Sequence, residues 1–386
     1  MRQPAKRMQL FSSAVFYELS AQKKRLLEQG KTVVDLGIGS PDLPPPAHLQ
    51  AALRDALADP AVYGYPRTEG TADFRHSAAE FLQRRYSAVV DPEREVLTLM
   101  GAQDALSHLA LALIDPGDIV LVPDPGYPIY EVSIHLAGGI PYPLPLRKEQ
   151  GFLPDFSAIP ETILKKAKML ILNYPNNPVT AIATPAFFQS VITFARHHDI
   201  FVVHDAAYIE LVFEGYQAPS FLAFPGAKDI GIELHSLSKT FNFAGARIAL
   251  AAGNAEMLSA LAVVKSNIDY GVFTAVQTAA AVALRDDRGH IAHIRTQYQE
   301  RRDALLLPMQ KAGWTIPKPL ATMFIWAAIP TAEDARSFAK RILEESGVVC
   351  VPGVGFGREG EGYVRFALVS PADQLQSAGE RIARIL

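Results

Sequence analysis

The sequence holds one cysteine, Cys350, among 386 residues. A single thiol closes no intramolecular disulfide and builds no multi-cysteine zinc site, so neither device carries this fold. Long apolar runs are missing as well. The longest, Ala105 to Ile114, is interrupted by His108 and falls short of the ~18 residues a membrane helix needs. Near the start, Arg2, Lys6 and Arg7 are followed by Ser12, Ser13, Glu18 and Lys23 rather than an apolar stretch. That pattern predicts no secretory signal, no membrane association and a cytoplasmic protein. An excess of one charge is also absent. The 37 Lys+Arg against 40 Asp+Glu give a net charge of −3, without the basic footprint that nucleic-acid binding requires. There is no internal repeat and no low-complexity linker.

What is present is an ordinary globular composition, 49% hydrophobic and 20% charged, long enough for two or three domains. Residues 12–29 read as an amphipathic helix with Ser12 or Ser13 as cap and Gly30 as stop, followed by a strand at Thr32–Leu36 and a Gly/Pro loop to Pro46. Helical patterns follow at 47–58 and 71–86. Short apolar runs then alternate with helical stretches. The runs are Glu95–Met100, Ile119–Val122, Ile140–Leu144, Met169–Leu172, Ile200–His204, Ile230–His235 and Arg247–Ala252. The helices fall near 103–114, 127–137, 184–198 and 254–264. Strands too apolar to have a wet face, alternating with helices, predict an α/β domain around a mostly parallel seven-stranded sheet. The linker between His235 and Arg247 is too short for a parallel crossover, so the last of these strands should run antiparallel. A single long helix over 274–311 should lead to a smaller α+β unit with strands at Thr322–Ala328, Val348–Val351 and Tyr363–Val369. Its helices should span 331–346 and begin again at Pro371. The expected division is a large domain over 46–290 and a small one built from 1–45 with 291–386.

In open α/β sheets, ligands bind beyond the carboxyl ends of the strands. That edge should carry Gly101, Ala102 and Gln103 at a helix start, Tyr127, and Asn177. It should also carry Asp205 with Tyr208, and Ser236, Ser238 and Lys239, with Arg247 re-entering from the same side. Taken singly, each has a plain structural reading: a helix cap, a turn serine, a loop aromatic, a surface lysine, a salt-bridge arginine. Together they offer a phosphate cup of helix N-terminus, two hydroxyls and an arginine, beside one lysine and one aspartate.

At these residues the chain resembles the class I/II aminotransferases, fold type I enzymes dependent on pyridoxal 5'-phosphate (PLP). The most specific block is Ser236-Leu237-Ser238-Lys239-Thr240-Phe241 with Arg247. Supporting blocks are Asp35 to Asp42, Tyr65 to Gly70, Asp115-Pro116-Gly117-Asp118, Asn176-Asn177-Pro178, Asp205-Ala206-Ala207-Tyr208 and Tyr363-Val364-Arg365-Phe366. The resemblance implies that Lys239 holds PLP as a Schiff base and moves the substrate proton. It implies that Asp205 pairs with the pyridine nitrogen and that Tyr208 and Asn177 bond the ring phenolic oxygen. Tyr127 would stack on the ring, while Ala102, Gln103, Ser236, Ser238 and Arg247 hold the phosphate. Arg365 would grip the substrate carboxylate as a two-pronged fork, with Gly39 bringing backbone close to it. It further implies that Tyr65 reaches the phosphate of a neighbouring subunit, hence a homodimer. The expected activity is ping-pong transfer of an amino group from an L-amino acid to a 2-oxo acid.

Some positions depart from the family pattern. The usual Asn-Pro-Thr-Gly is Asn177-Pro178-Val179-Thr180, and Gly-x-Arg-x-Gly is Gly245-Ala246-Arg247-Ile248-Ala249. Lys265 stands before Ser266-Asn267, where dicarboxylate-specific relatives carry an arginine from the other subunit. Residues 267–271 and 204–213 are similar to alanine and LL-diaminopimelate aminotransferases. A PLP-dependent carbon–sulfur β-lyase of the same fold is the alternative, since both chemistries share their first steps. A PLP-binding regulatory module is a third reading, disfavoured because the resemblance begins within the first thirty or so residues. Gly355 to Gly360 matches G-x-G-x-x-G, but a strand rather than a helix should follow it, so it reads as a loop. His197-His198-Asp199 lacks metal-ligand spacing and reads as a solvated helix end; no metal site is expected. Cys350 reads as a buried strand residue.

Overall fold

A computed structural model describes residues 5, 7, 8 and 14–386, with side chains from Glu18 onward among the latter. Twelve strands run through it: β1 (Val34–Asp35), β2 (Val96–Leu99), β3 (Ile119–Asp124), β4 (Ile140–Pro145), β5 (Ala167–Asn173), β6 (Phe201–Asp205), β7 (Gly231–Ser236), β8 (Ala249–Gly253), β9 (Phe324–Ala328), β10 (Val348–Val349), β11 (Val351–Pro352) and β12 (Tyr363–Ala367). The main sheet has the order β2-β8-β7-β6-β5-β3-β4. Its pairs are parallel except those made by β8, which runs antiparallel to both β7 and β2. The short linker after β7 forces that reversal.

Helices cover both faces of this sheet, which is why its strands are mostly apolar. Alternate residues feed two different cores. Leu170, Leu172 and Val202 pack with Phe187 and Phe188 of the helix Pro185–His198. Met169, Ile171 and Val203 pack with Leu106, Tyr130 and Leu258 from helices Ala102–Leu113, Ile129–Ala137 and Ala255–Ile268. The same alternation sends His204 to the first face and Asp205 to the second.

A three-stranded antiparallel sheet, β11-β12-β9, and the parallel pair β1–β10 form beside it. Val34 pairs with Val348, so the N-terminal strand is completed by the C-terminal part of the chain. Trp314, packed edge-on against Phe338 and Phe366, anchors the core there. Arg301, on the helix His290–Lys311, makes a bidentate pair with Asp42 at 2.7 and 2.8 Å and pins the loop that follows β1.

Three expectations need correction. The single helix over 274–311 is two, Thr274–Arg285 and His290–Lys311. Gly289 takes φ 76°, and the Asp287 carboxylate accepts the Ile291 N–H, so residues 286–289 end one helix and start the next. The strand expected at Val348–Val351 splits at Cys350. Its first half pairs with β1 and its second with β12. Cys350 is buried, but it sits at that break rather than inside a strand. The helix expected at 12–29 needs none: it is present at Ala14–Glu28, and its proposed caps, Ser12 and Ser13, lie outside the described residues.

Candidate active site

The carboxyl ends of β5, β6 and β7 bring Asn173, Asp205 and Ser236 to one edge, with Asn173 directly opposite Asp205 in the ladder. The helix Ala102–Leu113 opens on the same edge. A cavity of about 460 Å³ lies there. It is lined by every residue to which the family resemblance gave a role, except Tyr65.

One end of the cavity suits an anion. The first backbone N–H groups of the helix Ala102–Leu113 have no intrahelical acceptor, and the helix dipole adds partial positive charge. Buried Ser236 and Ser238 and exposed Arg247 stand around them. Gly101 is the residue this closeness demands: it has φ 78°, and a Cβ there would meet the Arg247 guanidinium. Asp104, in the first turn of the same helix, does not spoil the anion end. Its carboxylate accepts the Met100 N–H at 2.7 Å and pairs with Lys265. Lys265 is fully buried and also bonds Asp269 at 3.0 Å, so its charge is matched within this chain.

The middle of the cavity holds Asp205 and Lys239. Asp205 is 5% exposed; Tyr130 donates to its Oδ2 at 2.9 Å and Ala207 N–H to its Oδ1 at 3.2 Å. Burial pushes the Asp205 carboxyl up, opposed by the Tyr130 hydrogen bond, the Ala207 N–H and the charges of His204 and Lys239. Lys239 Nζ donates to the Gly39 carbonyl at 2.9 Å. Burial, reinforced by the positive charges of Arg365 and Arg247, lowers the Lys239 amine to about 8, against the pull of Asp205. Tyr208 lies with its ring 5.9 Å from that nitrogen.

The other end is a guanidinium. Arg365 is 5% exposed and sandwiched between two rings, with its Cζ 4.1 Å from the Phe324 centroid and 4.5 Å from that of Phe356. Nη1 donates to Asn177 Oδ1 and Nη2 to the Gly37 carbonyl, each at 2.7 Å. Nε has no partner among the described residues. Burial lowers Arg365 to about 10, partly offset by Tyr208 and Tyr127, so it stays cationic at neutral pH. Gly39 packs on Phe324 so closely that a Cβ would meet the ring.

Tyr65 is 91% exposed and packs against Tyr270 at 5.2 Å, outside the cavity of its own chain. Sequence reasoning missed Tyr130, Phe324 and Phe356. The only signal for Tyr130 was its position three residues, about one helical turn, beyond Tyr127. Phe356 comes from the glycine loop between β11 and β12, which is two short 3₁₀ turns, as its rejection as a nucleotide fingerprint required. Gly357 there lies against the Asp124 carboxylate, which accepts the Glu359 N–H at 3.1 Å.

Known proteins resemble this chain along its whole length. It is 44% identical over 384 residues to an LL-diaminopimelate aminotransferase of Moorella thermoacetica, covering 100% of this chain and 98% of that one. A solved substrate-bound BacF structure from Bacillus subtilis superposes with a TM-score of 0.95 at 37% identity, covering 100% of this chain and 98% of that one. A probable N-succinyldiaminopimelate aminotransferase from Thermus thermophilus gives a TM-score of 0.92 at 40% identity over 96% of this chain and 100% of its own. The profile of aminotransferase classes I and II matches residues 31–382, a span that includes both the anion end and the guanidinium end of the cavity, and the chain belongs to that family.

Proposed function

We propose that this aminotransferase acts on LL-diaminopimelate or a closely similar L-amino acid, with PLP held in the 460 Å³ cavity. The observation that carries the reading is one cavity with an anion cup at one end, an unfilled buried guanidinium nitrogen at the other, and a lysine between them. These groups fit a phosphorylated pyridine aldehyde and a substrate carboxylate. Ala102, Gln103, Ser236, Ser238 and Arg247 would hold the phosphate, and Tyr127 would cover one face of the ring. Asp205 would keep the ring nitrogen protonated, and Tyr208 and Asn177 would bond its phenolic oxygen; Asn177 has Nδ2 to donate because Oδ1 is taken by Arg365. Bound there, PLP supplies a sink for the electron pair left when the substrate α-carbon loses its proton. Lys239 would provide the amine for covalent attachment and, once free, would take that proton and return it to the cofactor side. Arg365 orients the α-carboxylate, its Nε available and its fork held in place by Asn177 and Gly37.

The names borne by the relatives favour amino-group transfer over the β-lyase alternative, and the substrate reading rests on the Moorella protein's name. We place the cofactor half of the site in a domain over 46–290, with the remainder in the small domain. A homodimer completes the arrangement: exposed Tyr65, with Tyr63, Tyr270 and Phe273 around it, forms an aromatic patch suited to a second copy. Single-turnover spectra with LL-diaminopimelate, alanine, glutamate, aspartate and aromatic amino acids test the substrate reading. Fastest conversion to the amino form with LL-diaminopimelate is expected. Faster conversion with another donor reassigns the substrate, and release of pyruvate and ammonia from a β-substituted donor would favour the lyase.

A further inference from the structure

Behind Asp205, on the opposite face of β6, lies a buried charge network that the proposed chemistry does not use. His204 and Glu233 are direct cross-strand partners in β6 and β7, and both are 0% exposed. His204 Nδ1 lies 2.9 Å from Glu233 Oε2, and its Nε2 lies 2.9 Å from the Tyr174 carbonyl oxygen. A carbonyl oxygen can only accept, so Nε2 carries a hydrogen.

The state of Nδ1 follows from the partners of Glu233. Its Oε2 also accepts the Phe221 N–H at 2.6 Å. Its Oε1 accepts the Ser220 hydroxyl at 2.7 Å and faces His235 Nε2 at 2.7 Å. The Ser220 oxygen itself accepts the Leu222 N–H, which leaves its own hydrogen for Glu233. The Phe221 N–H and the Ser220 hydroxyl donate one to each oxygen, with a histidine nitrogen facing each oxygen as well, a setting that describes an ionised carboxylate. Burial opposes that ionisation, yet the hydrogen bonds and charges of His204 and His235 hold Glu233 well below the usual carboxylate range. With Glu233 ionised, both ring nitrogens of His204 donate. The remaining neighbours of the ring, Phe188 and Phe221, are apolar.

We propose that His204 is an imidazolium donating from both ring nitrogens and a positioning residue for Asp205: it keeps that carboxylate charged from behind the sheet and secures the turn that carries Asn177. The second half of the role is geometric. The Tyr174 carbonyl that His204 holds follows Asn173, whose Nδ2 bonds the Asp205 carbonyl and whose Oδ1 accepts the Asn177 N–H, each at 2.7 Å. One ring thus braces both strands that meet at the cofactor end of the cavity. The role rests on Asp205 being the residue that pairs with the cofactor ring.

Long-range proton–nitrogen spectra of the ¹⁵N-histidine-labelled holoenzyme test the charge state directly, with His204 assigned by its loss in His204→Gln. Both ring nitrogens should report as protonated in the holoenzyme; one unprotonated nitrogen overturns the proposal. PLP retention against pH tests the consequence in His204→Gln and, independently, Glu233→Gln. Without the cation Asp205 protonates more readily, so the acid-side loss of PLP should move up by roughly half a pH unit or more. A bracing role alone would weaken retention at every pH and leave that midpoint in place, which would overturn the electrostatic assignment. Asp205→Asn is run alongside. If it retains PLP like the parent, the reading of Asp205 fails; if it loses PLP while the other two midpoints stay put, only the role of His204 fails.

Discussion

Arg365 donates from Nη1 to Asn177 Oδ1 at 2.7 Å, joining residues 188 positions apart in the chain. The bond commits one prong of the fork and one end of the amide, so the group proposed to face substrate and the group proposed to face the cofactor oxygen hold each other in orientation. Replacing Arg365 with lysine removes the bond, the Gly37 anchor and the planar surface that Phe324 and Phe356 enclose. Arg365→Lys should raise KM for amino donor and oxo-acid acceptor alike, by about tenfold or more, because both present an α-carboxylate. Steady-state kinetics with each substrate varied in turn checks this; a rise for one substrate only would give Arg365 a different task.

The lowered Lys239 amine makes cofactor attachment pH-dependent in a particular way. Only the neutral amine attacks an aldehyde, and at a value of about 8 the neutral fraction grows as pH rises to that point and saturates beyond it. The rate at which the apoprotein takes up PLP covalently should therefore climb from pH 6 and level off above about 8. An unperturbed lysine would keep the rate climbing toward about 10. Lys239→Ala should abolish turnover and leave no borohydride-stable adduct by mass spectrometry.

Tyr130 is 1% exposed and bonds the carboxylate that burial disfavours. In Tyr130→Phe the ring still fills its core, but Asp205 loses a donor. Hydrogen bonds to charged groups contribute about 1.5–3 kcal/mol, so PLP should bind up to roughly ten to a hundred times more weakly, and the thermal midpoint of the apoprotein, which holds the same bond, should fall as well. Fluorescence titration with PLP measures the first and calorimetry the second.

Lys265 is the buried cation that Asp104 and Asp269 require. Lys265→Ala leaves Asp104 and Asp269 with His108 as their shared ion-pair partner and should destabilise the fold by up to about 3–5 kcal/mol. Adding Asp104→Asn and Asp269→Asn should recover part of that loss. Denaturant unfolding of the single and combined variants checks both; an unaltered midpoint in Lys265→Ala would show that the carboxylates find water instead.

The parts of the molecule legible in the sequence are those decided locally. Apolar runs such as Ile119–Val122 can only be strands covered on both faces, and the polar residues that follow them fall at the strand ends by necessity. The reversal of β8 was readable because its linker length is a local quantity. The break at 286–289 was written locally too, in two aspartates and a glycine, but helical periodicity on either side masked it. What stayed hidden was non-local. Nothing near Phe324 or Phe356 marks them as the two faces of a guanidinium clamp, since the strand and the loop that carry them meet only in the folded chain. Tyr130 reads as a core aromatic and is one; that its hydroxyl ends on Asp205 depends on how its helix lies across β6. Glu233, in the middle of an apolar strand, was the overlooked clue, because a buried carboxylate needs partners and His204 stands opposite it.

The pairing of β1 with β10 sets a timetable for the chain as it is made. Val34 is synthesised about three hundred residues before its strand partner Val348. Ser236, Lys239 and Arg247 leave the ribosome long before Phe324 and Arg365. The anion end of the cavity can therefore assemble on a nascent chain while the guanidinium end cannot, and β1 must wait unpaired until Val348 has been made. A ribosome that stalled near residue 300 would hold a chain with half of its site and no partner for β1.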